Sequence, residues 1–390
     1  MGIIAKQSFY NLFSIGIGFL VGALNVLFLY PIYMGDSRQG LVVGLLAVSN
    51  LIQPFLSLGL QHALIKFFSS FADARSRDSF LWFIILAPLV LIALLTGVYL
   101  VNPDFIGGLL PTSLTADFPY LEFVLLIAIS TAYFEIFNSW LRVHFKSIFA
   151  NFLKELYPRL LIGVLIMGFA LQWYDFTHFM YYLVGGYYLR LLLVIGFSLW
   201  VYRPTWYWHF PPQLTAILRY SVLIFLSGAA ASFILDIDKA MLLSFSKEEV
   251  AYYSVAIFIA TVIAVPQRAM HQIMMPLTAK FLNKKDIEAL EDLYKRSSLN
   301  LLVVSGFIFL LIVLNIHELY TILPEAYTGG IFVVFIISLA KLFDNSLGNN
   351  NAILFNSDYY RMVLVFGVLL AIMAITLNVV FIPIYGIEGS

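Results

Sequence analysis

The sequence predicts an all-α polytopic membrane protein, built as two pseudo-symmetric six-helix lobes with the second incomplete. Three observations predict it. The 390 residues are 62% hydrophobic and only 11% charged, with mean hydropathy +0.92, whereas a soluble domain carries about 25% charge. Apolar runs of bilayer length recur along the chain, roughly 20 residues covering a hydrocarbon core of about 30 Å. Lys and Arg, finally, gather in alternate connections between those runs.

The runs lie at about 9–33, 40–65, 80–101, 120–141, 159–173, 179–201, 217–236, 249–266, 298–316, 330–347 and 362–382, which makes eleven full spans. With the N-terminus cytoplasmic, nearly all the basic residues fall inside; Arg38, Lys239 and Lys247 fall outside and Arg190 lies within a span. That asymmetry sets the orientation, and it supports the span count because one missed helix scrambles the alternation. The stretch Tyr202–Gln213 holds Pro204, Pro211 and Pro212 among Trp206, Trp208 and His209. It cannot continue a helix and suits a membrane interface. It divides the chain into an N-terminal lobe, 1–203 (spans 1–6), a cytoplasmic linker, 204–216, and a C-terminal lobe, 217–390 (spans 7–11, ending before or within a twelfth).

Two inner connections carry helical patterns. Between Leu141 and Arg159, Phe145, Ile148, Phe149 and Phe152 share one side, extending spans four and five into the cytoplasm. Asp286–Arg296 places Ile287, Leu290 and Tyr294 on one face and Glu291 four residues before Lys295, which reads as an amphipathic helix along the inner surface. The outer connection 102–119 has no basic residue and is a plain loop. A faint repeat links ALIKFF (Ala63–Phe68) with PLTAKFL (Pro276–Leu282), each following a proline, Pro54 or Pro266. Two six-span copies then share one orientation, as in transporters built from parallel repeats.

Polar residues form stripes on particular spans. Span one carries Asn11, Ser14, Gly18, Gly22 and Asn25 on one face, and span two carries Asn50, Gln53, Ser57 and Gln61. Span seven has Ser221, Gly228, Ser232 and Asp236 with Lys239, and span eight has Ser254, Thr261, Arg268 and Gln272. Spans three and nine are almost wholly apolar. Polar groups are costly against lipid, so striped helices face an interior and plain ones face acyl chains. Small and amide residues at such spacing also serve helix packing without a cavity. Four stripes at matching positions favour a shared water-filled cavity between the lobes. Arg190, about 16 Å from either end of its span, needs a partner there: Glu135 in span four, near Asn138, or an anionic group of a substrate.

The composition also excludes classes. Equal numbers of basic and acidic residues, 22 each, argue against a nucleic-acid partner. Without cysteine there is no disulfide, thiolate metal site or cysteine nucleophile. No P-loop, GxSxG or HExxH occurs and the six His are scattered, so no cofactor or metal is expected. Asp236-Ile-Asp238 has the form of a metal-binding DxD, but beside Lys239 at a span end it reads as interfacial charge.

The segments Gly59-Leu60-x-x-Ala63-Leu64-x-Lys66-Phe67 and Asn378…Ile382-Pro383-x-Tyr385-Gly386-Ile387-x-Gly389, with the opening MGIIAKQSFYN, resemble the oligosaccharide-lipid flippases. These are the O-antigen and capsule transporters of the multidrug/oligosaccharidyl-lipid/polysaccharide export superfamily. The resemblance covers the whole chain. It implies two six-helix lobes with a cavity lined by the first two helices of each, in the bacterial cytoplasmic membrane. It further implies transport of undecaprenyl-pyrophosphate-linked oligosaccharide by alternating access, in contact with membrane lipids and polysaccharide polymerase machinery. Lys66, Arg190 or Arg268 then meets the pyrophosphate, and Glu135 or Asp236 serves as the ion-coupling group. In such a family the glycine-rich C-terminal motif precedes a further span, so the gene is expected to continue beyond Ser390. A cation-coupled multidrug antiporter of the same superfamily and a membrane polymerase or glycosyltransferase are the alternative readings.

Overall fold

In the computed structural model, residues 14–71, 73–102, 120–144, 146–207, 209–357 and 360–390 are described, and they are helical almost throughout. In chain order the helices are α1 (Ser14–Met34), α2 (Asp36–Ser57), α3 (Leu60–Phe67), α4 (Ala74–Val101), α5 (Tyr120–Val143), α6 (Ser147–Glu155), α7 (Tyr157–Ala170) and α8 (Phe176–Val201). After the linker come α9 (Leu214–Leu242), α10 (Lys247–Thr261), α11 (Val265–Lys284), α12 (Ile287–Leu314), α13 (Ile316–Thr321), α14 (Ile331–Ser346), α15 (Asn350–Asn356) and α16 (Tyr360–Tyr385). Among the described residues, 9 helices are long and apolar enough to cross a membrane, and α9, bent by 48° near Ala230, raises this to 10. The fifth expected run is the shorter α7, 14 residues or about 21 Å. The loop 102–119 lies, but for Asn102, outside the described residues, as do Asn11, Phe145, Trp208 and the opening MGIIAKQSFYN.

The chain forms two compact units, Met1–Asn25 with Leu41–Phe245, and Val26–Gly40 with Ser246–Ser390. In the first, α5 and α8 form the central pair, flanked by α3, α4, α6 and α7. Their shared core holds Leu64, Phe80, Phe134, Trp140 and Leu153. Helix starts are set by side chains that accept from otherwise orphaned amides. Asp73 accepts from Ser76 N and Asp175 from His178 N, both at 2.9 Å. A left-handed pair, Leu58 at φ 47° and Gly59 at φ 70°, ends α2 four residues after Pro54 and starts α3 in a new direction. A Cβ on Gly59 would stand 2.5 Å from the Ser221 carbonyl oxygen, so the break needs glycine both for its backbone and for the close approach of α9.

In the second unit α14 packs on both α10 and α12, and α11 packs on α12 and α15. The span beginning at Lys247 is broken at the tight turn Val262–Ala264 just before Pro266. The Ile263 carbonyl freed there accepts from Asn345 Nδ2 at 2.7 Å and Ser305 Oγ at 3.2 Å. The end of α1 and the start of α2, Val26–Gly40, are held by polar groups: Tyr252 donates to Asp36 at 2.6 Å, Tyr327 donates to Gln39 at 2.7 Å, and Gln39 donates to Ser254 at 3.3 Å. Gly386, φ 57°, ends α16, and a Cβ there would meet Glu249 Oε1 at 3.1 Å.

One expectation is corrected. The stretch 286–296 is no separate surface helix, because α12 runs unbroken from Ile287 to Leu314. Asp286 caps it by accepting from Ala289 N at 3.1 Å, and Glu291 and Lys295 pair at 2.6 Å as their spacing predicts. Capping and ion pairing stabilise the polar turns that continue into the apolar span, so nothing bends the chain at the membrane boundary.

Candidate functional site

Burial separates the plain helices from two of the striped ones, while the striped α1 buries only 28% of its window. The plain α4 and α12 bury 18% and 22% of their spanning windows, whereas the striped α2 and the span from Lys247 to Arg268 bury 61% and 56%. Lipid is the cheaper neighbour for a helix without polar groups.

The α1 stripe is a packing seam. Asn25, 3% exposed, donates to the Arg159 carbonyl at 2.7 Å, and a Cβ on Gly18 would meet Arg159 Nη1 at 2.5 Å. Small residues there let α1 lie close against α7.

The α2 stripe meets α9 in a charged cluster. The exposed Asn50 donates to Asp236 at 3.1 Å, and Asp236 pairs with Lys239 at 2.8 Å. That pair is 16% and 19% exposed at its side chains, so the carboxylate is neutralised locally yet stays within reach of solvent. Gln53 donates to Ser57 at 3.2 Å. Farther along, the Gln61 carbonyl oxygen is buried without a partner, and Lys66 holds its ammonium 3.8 Å over the Tyr220 ring. Such a cation–π contact contributes about 0.5–1 kcal/mol at an exposed site, and among the described residues the lysine has no carboxylate partner. Ser232 lies half-buried just past the α9 bend.

Arg190 and Glu135 are not an ion pair. Glu135 binds Lys154 at 2.7 Å and accepts from Asn138 at 3.2 Å. Lys154 reaches it because Ala150 and Leu153 bury the inner face of α6, presenting the next side chain to α5. Arg190, 5% exposed, sits between the rings of Phe134 and Tyr187 at 4.3 and 4.7 Å and donates to Thr131 at 3.3 Å. Its Nε is buried without a partner. Aromatic faces therefore replace the expected carboxylate; a desolvated cation–π contact contributes about 2 kcal/mol or more.

In the second unit Thr261 donates back to Ile257 at 2.7 Å, and Arg268 is exposed in α11. The Gln272 side chain lies outside the described residues.

Sequence reasoning missed Asp78. Only 2% exposed, it accepts from Tyr202 Oη at 2.5 Å, Thr205 N at 2.9 Å and Thr205 Oγ1 at 2.6 Å. A buried carboxylate with three donors holds the linker to α4. A lone Asp after Arg75 and Arg77 near a span start looks like ordinary interfacial charge, and no sequence signal distinguishes it.

The whole fold matches two solved structures. The lipid II flippase MurJ in an inward closed conformation aligns with TM-score 0.73 at 15% identity, over 99% of this chain and 83% of that one. An inward-facing multidrug resistance MATE family transporter of the MOP superfamily aligns with TM-score 0.59 at 18% identity, over 98% and 89%. No protein-family model matches the sequence, and no curated protein matches it. The chain thus shares its fold with these two structures, one named a flippase and the other a transporter.

Proposed function

From that fold, we propose that the chain is a flippase carrying undecaprenyl-pyrophosphate-linked oligosaccharide repeat units across the bacterial cytoplasmic membrane by alternating access, for polysaccharide or O-antigen synthesis. The observation that carries the reading is the full-length likeness to a flippase of a lipid-linked substrate. The chemistry agrees with it. A sugar pyrophosphate needs a polar, basic path through hydrocarbon, while a polyprenyl tail is at home in lipid. Lys66, Arg190 and Arg268 supply the cations for the pyrophosphate, Lys66 and Arg190 being held by rings rather than carboxylates. Asn50, Gln53, Gln61, Ser232 and Thr261 supply neutral hydrogen-bonding groups, while Asn25 is engaged in packing α1 on α7. Asp236 and Glu135, each beside a lysine, are the ion-coupling groups, since a proton or cation that displaces the lysine changes the local charge by one. Membrane lipids and polysaccharide polymerase machinery are the partners, and the N-terminus and linker are cytoplasmic. A second reading, a cation-coupled multidrug antiporter, is favoured by the Asn50–Asp236–Lys239 cluster together with the likeness to a MATE transporter.

One assay separates the two. Proteoliposomes containing the purified chain are loaded with a fluorescent polyprenyl-pyrophosphate disaccharide, and dithionite quenching reads its transbilayer movement. Protein-dependent movement that falls about tenfold or more in Lys66→Gln, the loss of a charge-assisted contact of about 1.5–3 kcal/mol, is the expected result. No movement of this lipid, with ion-gradient-driven efflux of ethidium instead, would overturn the flippase reading in favour of the antiporter.

A further inference from the structure

Unit 1 contains a cavity of about 790 Å³ between α4 and the linker, walled by Trp82, Leu86, Val90, Trp206, Phe210 and Leu218. Its volume falls within the ligand-pocket range of about 300–1,000 Å³, and nothing in the transport reading uses it. The groove is a built feature. Trp82 and Trp206 stack edge to face at 4.6 Å, Trp82 donates to the Thr205 carbonyl at 3.1 Å, Ser79 donates to the His209 carbonyl, and Asp78 anchors Thr205. Its walls are nonetheless open: Val90 is 70%, Trp206 54% and Phe210 76% exposed. Arg75 edges it on one side. Arg75 lies 5.8 Å from the ring of Tyr207, which also lines the groove, and Arg203 stands exposed three residues before Trp206. Neither forms an ion pair among the described residues.

We propose that this groove binds one anionic glycerophospholipid of the inner leaflet, with an acyl chain laid along the groove against Trp82 and Trp206 and the phosphate at Arg75. The two halves of the site require such an amphiphile. An apolar slot open to hydrocarbon takes an alkyl chain, and an exposed guanidinium at a tryptophan-rich interface takes a phosphate. The positive-inside pattern puts these arginines at the cytoplasmic leaflet, where basic pockets meet anionic head groups. The bound lipid would bridge α4 to the linker.

Native mass spectrometry of the detergent-purified chain, with dioleoyl phosphatidylglycerol or dioleoyl phosphatidylcholine added, tests this. A single phosphatidylglycerol adduct held about fivefold more tightly than phosphatidylcholine is expected, with Arg75→Gln removing most of that preference. Ala87 also lines the groove, and Ala87→Phe, which fills it and leaves Arg75 intact, should abolish the adduct of either lipid. Both variants are to be monodisperse with unchanged helical circular dichroism, so that loss of the adduct reports the site. Equal retention of the two lipids, an adduct insensitive to both substitutions, or dimers in place of lipid adducts would each overturn the proposal.

Discussion

At the scale of single residues, Gly59 shows how a short motif encodes a tertiary requirement. Its φ of 70° suits glycine, and a Cβ would press on the Ser221 carbonyl oxygen, Ile224 Cγ2 and Phe225 N of α9. The neighbouring Leu60, Ala63 and Leu64 are at most 1% exposed, so α3 has little freedom to retreat. Gly59→Ala is therefore expected to destabilise by about 2–4 kcal/mol, combining left-handed strain with overpacking. Gly97→Ala in α4 has nothing within 4 Å of its Cβ and should be neutral or stabilising by up to about 1 kcal/mol. Thermal unfolding of the two purified variants measures the contrast, and a Gly59→Ala midpoint equal to that of the wild type would refute the packing account. The motif was visible in the sequence; its reason was not, because Ser221 lies 162 positions away.

Among the elements, helix starts follow local rules. Asp73 accepts from both the amide and the hydroxyl of Ser76, and these bonds hold its carboxyl below the usual aspartate range. A lowered folded pKa means the cap contributes fully above the unfolded value of about 3.9 and is lost as pH falls through the folded value. Exchange protection of the first α4 amides, corrected for intrinsic rate, should accordingly decline only below that range. Asp73→Ala should already show the low-pH behaviour at pH 7. Protection independent of both pH and substitution would remove the cap from the account. The same local logic identified the Glu291–Lys295 pair, yet not that α12 would run straight through 286–314, since both a surface helix and a long span begin with an amphipathic turn.

On the scale of the whole molecule, orientation follows from charge. The chain lacks cysteine, so single cysteines can be placed at Arg75 and Lys285, which the positive-inside pattern puts in the cytoplasm. Membrane-impermeant maleimide is expected to label both in inverted vesicles and neither in intact cells. Labelling from outside would reverse the topology. The second unit takes in Val26–Gly40 together with everything from Ser246, and its polar contacts from Asp36 and Gln39 to Tyr252, Ser254 and Tyr327 join residues more than 200 positions apart. Sequence periodicity carries no information about such exchange.

The sequence by itself determined the class, most of the helices and the contrast between plain and striped spans, because hydropathy, charge side and face periodicity are properties of neighbouring residues in a lipid solvent. Partnership belonged to the tertiary structure. Arg190 and Glu135 were a candidate pair because each is a costly charge within a span, but only the packing of α6 brings Lys154 to the carboxylate and leaves the guanidinium to Phe134 and Tyr187. Likewise Ser305, in the almost wholly apolar ninth span, gains its partner only from the tight turn at Val262–Ala264, where the Ile263 carbonyl accepts from it and from Asn345. A residue's cost in the membrane is written in its own chemistry, whereas the group that offsets the cost is chosen by whichever distant helix the fold sets beside it.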